Sequence, residues 1–283
     1  MDLPCSVTTK TCGVSSSSST RRTRMNRMWN GFLGSVMRNL GRQNDLIYGG
    51  SPATITEAPF MAFLRTTHID GTVWNCGASI ISESLVLTAA HCVIDENNQR
   101  AASVAVTVGS ADSSVASTQV AASFTYDTAF DINNLGNGHD IALVRLATPL
   151  VFTPSIQPIC FPTSDSVLGK AISSCDQKAY GWGYINSAGT TQTTTLQKLD
   201  VTVSSSVSSC SSLTDESIIC VQGDAPNSGI CQGDSGGPLV VRYNGRAYVT
   251  GITSFTVGKC STGISGYTRT SKYAAWLQQQ ITG

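Results

Sequence analysis

Charge is scarce in this 283-residue chain: Asp, Glu, Lys and Arg together make up 13% of it. That is about half the ~25% of an ordinary soluble domain. Histidine occurs three times, as His68, His91 and His139, and no Cys-x-x-Cys pair occurs anywhere. The usual ligand spacing of a zinc site is therefore missing. No unbroken apolar run approaches the ~18–20 residues of a membrane-spanning helix. The opening stretch MDLPCSVTTKTCG also lacks the apolar core of a secretory signal. A soluble globular protein is expected, with no membrane span.

What is present divides the chain in two. Residues 1–46 hold seven basic and two acidic side chains, a net charge of plus five, and residues 47–283 carry the compensating minus five. A basic tail on an acidic body is expected, and an acidic body matches nucleic acid poorly. The tail contains the serine run 15–19, the arginine cluster 21–27 and a weakly amphipathic stretch from Met25 to Leu40. Its composition favours a flexible pro-segment over a membrane-docking helix. Ten cysteines at wide spacings read as disulfides of an oxidising compartment. A secreted protein follows, its leader either removed or lying upstream of this chain.

From Ile47 onward, short Val/Ile/Leu/Thr runs alternate with Gly, Pro, Asn and Ser. Strands are expected at Ser79–Ile81, Leu85–Leu87, Val104–Val108, Ile141–Leu146, Leu199–Val203 and Tyr248–Ile252. Only Ser271–Ile281, with Tyr273, Trp276, Leu277 and Ile281 at helical spacing, reads as a helix. The body is expected to be all-β with one C-terminal α-helix.

Three motifs carry chemistry. Gly233-Asp234-Ser235-Gly236-Gly237-Pro238 places a hydroxyl between glycines that let backbone N–H groups approach a substrate carbonyl. By itself it also fits a tight turn between strands. Thr88-Ala89-Ala90-His91-Cys92 supplies a candidate base beside a cysteine able to pin the loop. His68, in a polar loop, and His139, in a Gly/Asn-rich one, are given structural roles. Asp140, at the mouth of the apolar run Ile141–Val144, is costly to bury unless it meets a donor. Orienting a histidine N–H is a suitable task for it, and His91, Asp140, Ser235 is a known chain order of a Ser-His-Asp triad.

With these motifs, and with Ile47-Tyr-Gly-Gly50, Cys76-Gly77-Ala-Ser-Ile80, Gly181-Trp182-Gly183 and Ser254 in Gly251-Ile-Thr-Ser254-Phe255, the chain resembles the chymotrypsin-like (trypsin-like) serine peptidases. The resemblance runs from Ile47 to about Ile281 and is nearest in character to chymotrypsin, collagenase and elastase-like members. It implies two antiparallel six-stranded β-barrels: the first over about 47–165, the second over about 166–270, then the helix over about 271–281. It implies that His91, Asp140 and Ser235 hydrolyse peptide bonds through an acyl-enzyme, with Ser254 as a further partner of Asp140. Backbone N–H groups of Gly233 and Ser235 would form the oxyanion hole. Cleavage of Leu46–Ile47 would free an ammonium to pair with Asp234, making residues 1–46 an activation segment.

The resemblance also implies the disulfides Cys76–Cys92, Cys231–Cys260 and Cys210–Cys220. It leaves Cys160 to pair with Cys175, Cys5 or Cys12. Gly109-Ser110-Ala111 lacks the acidic residue expected of the family's calcium loop, so no metal and no cofactor are expected. Gly229 stands at the floor of the implied specificity pocket, with Thr256 at its entrance and Ser265 at its back. A neutral floor favours apolar side chains such as Leu, Phe or Met, or smaller ones, over Arg and Lys. Leu46 itself suits such a pocket, so self-processing is one route to maturation. Cutting after Arg42 instead would leave a four-residue overhang, Gln43 to Leu46, ahead of Ile47.

Expected partners are protein or peptide substrates and protein inhibitors, and a monomer is expected. Two other classes fit less well. A catalytically silent homologue serving as a binding or regulatory protein is disfavoured by the complete triad. An α/β-hydrolase esterase is disfavoured because its histidine comes last in the chain.

Overall fold

The computed structural model describes residues 47, 49–116, 118–168, 177–186, 191–203, 215–260 and 263–282. Thirteen strands are found among them: β1 (Ser51–Pro52), β2 (Met61–Thr67), β3 (Val73–Ile80), β4 (Leu85–Thr88), β5 (Ser103–Val108), β6 (Gln119–Tyr126), β7 (Ala142–Leu146), β8 (Gln177–Gly181), β9 (Gln197–Val203), β10 (Ile218–Gly223), β11 (Pro238–Tyr243), β12 (Arg246–Thr256) and β13 (Ile264–Arg269). Strands β2 to β7 close in the order β2-β3-β4-β7-β6-β5. Strands β8 to β13 close in the order β8-β9-β10-β13-β12-β11, through a β9–β8 pairing. Every pairing is antiparallel, giving the two expected six-stranded barrels. Closure leaves no long free edge on either sheet.

The sequence pattern explains which side chains point inward. In β5, Val104, Val106 and Val108 are buried, as the two-residue period of a strand requires. The four residues of β4, Leu85 to Thr88, are all buried, because the strand has the barrel core on one face and the second barrel's serine turn near the other. All six strand runs expected from the sequence lie in or overlap observed strands.

Two placements differ from simple chain order. Strand β1 pairs with β9, and Ile47 sits in the apolar cluster of the second barrel with Ala179, Leu199, Val201 and Leu239. The first residues of the region assigned to the first barrel thus lie on the second. The helix runs from Ala274 to Thr282 after a 3-10 turn at Thr270–Tyr273. Although it follows the second barrel, Tyr273 and Leu277 are buried in the apolar cluster built mainly by the first. Arg145 of β7 also donates to the carbonyl of Gln280. The helix clasps the two barrels together.

The joint between the barrels is aromatic. Phe63 of β2 meets Trp182 edge to face at 5.5 Å, and Phe60 meets Tyr180 at 5.9 Å. Such pairs contribute roughly 0.5–1.5 kcal/mol each beyond their buried area. Between the barrels lies the cleft in which the three motifs meet.

Candidate active site

His91 lies in a single 3-10 turn, Ala90–Cys92, directly after β4. Its backbone N–H donates to Oδ1 of Asp140 at 3.0 Å, and its Nδ1–H donates to Oδ2 at 2.7 Å. The carboxylate accepts only, so it selects the tautomer that leaves Nε2 free to accept a proton. Asp140 is fully buried. Burial by itself would raise its carboxyl, but His91 and the Ser254 hydroxyl outweigh that and hold it below the usual carboxylate range. Burial likewise disfavours a charged His91, yet the Asp140 charge and hydrogen bond prevail and raise its pKa above the ordinary 6.5.

Ser254 reaches Asp140 because of an irregularity in β12. Thr253 pairs with Tyr267 and Phe255 with Gly266, so Ser254 is the extra residue of a bulge. Bulges re-aim a side chain, and here Oγ of Ser254 donates to Oδ2 of Asp140 at 2.5 Å. Thr268, which the sequence reading did not single out, donates to the carbonyl of Asp140 at 2.9 Å. The segment before Asp140 is also unusual, because His139 holds a left-handed φ of 64°. Its N–H donates to the Tyr273 hydroxyl at 2.7 Å, and its Nδ1 pairs with Asp127 at 2.8 Å. His68 lies in the loop after β2 but is buried there, its ring tilted against Trp74 with centroids 4.2 Å apart.

Ser235 stands between two glycines with left-handed φ, Gly233 at 92° and Gly236 at 74°. A Cβ on Gly236 would lie 2.1 Å from Oγ1 of Thr88 and 2.5 Å from the carbonyl of Gly77. Glycine there lets the serine turn of the second barrel touch the first. The contact is sealed by the Gly77 N–H, which donates to the Ser235 carbonyl at 2.7 Å, while Gly236 N–H donates within the second barrel to the Thr253 carbonyl at 2.9 Å. His91, Gly233 and Ser235 line one groove of about 250 Å³, with Trp74, Tyr184 and Gln192. Among the described residues, the N–H groups of Gly233 and Ser235 donate to no protein acceptor. No local signal in the sequence marks Tyr184 or Gln192.

Asp234 is buried beneath this turn. Its oxygens accept from Gly183 N–H at 2.8 Å and Cys231 N–H at 2.9 Å. Burial outweighs those bonds and pushes its pKa up to about 7. Thr256 pairs with Ser265, and a Cβ on Gly229 would lie 2.4 Å from the Cys260 carbonyl and 2.9 Å from Cα of Gly263. Ser265 is itself buried.

Two expected disulfides are present, Cys76–Cys92 and Cys231–Cys260, one beside His91 and one beside the serine turn. The sulfurs of Cys76 and Cys92 lie near the His91 ring, but they are bonded to each other and so are not thiolate ligands. Cys160 and Cys220 are also disulfide-bonded, while Cys210, Cys175, Cys5 and Cys12 lie outside the described residues. Replacing both Cys76 and Cys92 by serine opens a loop of separation 16. The expected loss is about 3 kcal/mol, read as a lowered denaturant midpoint.

Residues 47–277 match the family described as Trypsin. The chain belongs to the trypsin family. It is 31% identical over 269 residues to chymotrypsin-like elastase family member 1 of Macaca fascicularis, covering 88% of this chain and 95% of that protein. It is 31% identical over 245 residues to trypsin-1 of Astacus astacus, covering 82% and 98%. Serine proteinase stubble of Drosophila melanogaster is 29% identical over 86% of this chain, which spans only 32% of that longer protein. A solved HL collagenase structure superposes with a TM-score of 0.70 at 28% identity, covering 84% of this chain and 99% of that one. This trypsin-family chain is a serine endopeptidase. Among its described residues no helix is long and apolar enough to cross a membrane.

Proposed function

We propose that the protein is a secreted endopeptidase, made as a precursor, in which Ser235 attacks the peptide carbonyl. His91 takes the serine proton on Nε2 and later returns it to the leaving amine. Asp140 holds the imidazole and stabilises its charged form. The N–H groups of Gly233 and Ser235 receive the oxyanion, each donor contributing about 10²–10³ in rate. The observation that carries this reading is the 2.7 Å His91–Asp140 bond at the edge of a groove that also contains Ser235 and Gly233. Water then hydrolyses the acyl-enzyme by the same proton route. The reading is tested by treating the processed protein with a serine-directed covalent inhibitor, which should label Ser235 and stop peptide hydrolysis. A folded, processed sample that neither cleaves peptides nor takes the label would instead be a silent binding homologue.

Specificity is part of the proposal. A floor at Gly229 offers no counter-charge, and leaving a cation buried without one is expensive. Peptide libraries are expected to show cleavage after Leu, Phe, Met or smaller apolar residues. Dominant cleavage after Arg or Lys would reject the assignment. The close approach of Gly229 to the backbone of Cys260 and Gly263 adds that Gly229→Asp should distort this corner rather than convert it neatly to basic specificity.

Residues 1–46 act as the activation segment in this proposal. Ile47 is already fully buried in the second barrel, the barrel that carries Asp234, and its φ of 51° is left-handed. For a β-branched residue that conformation is an outlier, with a cost of about 1–3 kcal/mol. The torsion depends on the preceding carbonyl, so it ceases to exist once Leu46–Ile47 is cut. Cleavage therefore relieves strain and creates the ammonium that Asp234 needs.

A further inference from the structure

The groove that holds Ser235 does not end at the catalytic groups. A second groove of about 370 Å³ continues from it, sharing Val73, Asn75 and Gln192, and reaches Arg65. Neither groove includes Gly229, Thr256 or Ser265. With Gly229, Thr256 and Ser265 proposed to hold the residue before the scissile bond, this groove, on the far side of Ser235 from them, is assigned to the residues beyond it.

Arg65 is placed there by the strand register. It is the one exposed residue in the run Met61–Thr66 of β2, two positions from Phe63 and so on the same face. Across the ladder it pairs with Asn75 of β3. Two residues further along β3 is Gly77, whose N–H bonds the Ser235 carbonyl at 2.7 Å. Two strand residues span about 7 Å, the length of about two residues of an extended peptide. Arg65 thus faces the third residue after the scissile bond.

The charge of Arg65 is unspent. Among the described residues it makes no ion pair and no side-chain hydrogen bond. The other lining residues of its groove are uncharged, with Ser113, Ser114, Thr193 and Thr194 along one wall. The nearest acid in sequence to that wall, Asp112, turns into its own loop and accepts from Ser114 N–H at 2.9 Å. Its carboxyl is held low by Ser114 and Thr194, with no contribution from Arg65. A guanidinium in a polar groove with no internal counter-charge complements a carboxylate, which it can grip with two parallel hydrogen bonds.

We infer that Arg65 is a specificity-determining residue that selects substrates carrying Asp or Glu at about the third position after the scissile bond. The inference rests on the proposed peptidase reading and concerns substrate class, not the chemical step. Its test uses quenched fluorescent peptides identical except for Glu, Gln or Lys at that position. A chromogenic anilide with no residues beyond the scissile bond serves as the control. The processed wild type should cleave the Glu peptide about fivefold faster in kcat/KM than the Gln peptide, the range of a partly exposed ion pair. The Lys peptide should be slower still. Arg65→Gln should bring the three rates together, and Arg65→Glu should invert their order, with anilide turnover unchanged in both. The preference should also shrink as salt is raised. An unchanged Glu-to-Lys ratio in Arg65→Glu would overturn the inference while leaving the peptidase reading intact. Absence of anilide hydrolysis by the wild type would defeat that parent reading, and this inference with it.

Discussion

Ser235→Ala is expected to lower kcat by about 10⁴–10⁶-fold while leaving the unfolding midpoint of the protein nearly unchanged. The serine hydroxyl is the only group proposed to make a covalent bond to substrate. His91→Ala should cost nearly as much, and the double variant little more, because a hydroxyl without its base and a base without its hydroxyl are equally idle. Steady-state kinetics on an apolar-site peptide would check this. Near-normal turnover by His91→Ala would remove His91 from its role. The pH profile adds a second readout. The base must be unprotonated, so kcat/KM should rise with pH through the His91 pKa, which Asp140 lifts above 6.5. Asp140→Asn should shift that limb to lower pH as well as reduce the rate, since it removes the charge that favours protonated His91.

The second large effect is expected at Ile47 and Asp234. In the intact chain the buried carboxyl of Asp234 meets two N–H groups and, among the described residues, no cation. Its pKa of about 7 stands above the ordinary 3.8. The unfolded chain therefore releases this proton near 3.8, and the folded chain holds it to about 7. Folding stability falls as pH rises through that window, by about 4 kcal/mol in all. Once Leu46–Ile47 is cut, a new ammonium is available to the carboxylate and the sign reverses. The paired Asp234 should then lie below its ordinary value, with stability present at neutral pH and lost on acidification.

Between pH 4 and 7, urea midpoints of Ser235→Ala should fall with rising pH while residues 1–46 are attached and stay nearly flat once they are removed, the processed form losing stability only below about 3.8. Asp234→Asn should stabilise the intact chain at neutral pH. In the processed enzyme it should lower kcat/KM by about 10²–10³-fold, the worth of a broken buried ion pair. Equal slopes in the two forms would dismiss the switch. The same Ser235→Ala protein separates the routes of maturation. If processing is autocatalytic, the variant keeps Leu46 attached; if it still begins at Ile47 without host proteases, another enzyme makes the cut.

Much of this was legible from short stretches of chain. Val104-Ala-Val-Thr-Val108 alternates because one face of a strand packs into the barrel and the other takes smaller or polar side chains, and β5 is found there. The helix at Tyr273 to Ile281 was legible because its apolar residues recur at helical spacing, though its first turn is 3-10. The serine and histidine motifs were legible because close backbone approach demands glycine and small residues locally. His68 keeps the structural role expected of it, but its burial was not legible, since a short polar neighbourhood does not reveal that Trp74 of β3 lies against the ring.

The sequence by itself thus determined the strand-rich body, its single helix and the identity of the residues able to react, because side-chain periodicity and glycine requirements are properties of neighbours in the chain. Tertiary structure decided how those residues are aimed. Asp140 takes its partners from His91, 49 residues away, and from Ser254, 114 residues away. The second of these reaches it only because β12 carries one residue more than its partner strand at that point. The same holds for β1 crossing to the second barrel and for Arg65 facing an uncharged groove. Alternation says that a side chain points inward or outward, but which strand lies opposite is set by barrel closure, and closure is a property of the whole chain.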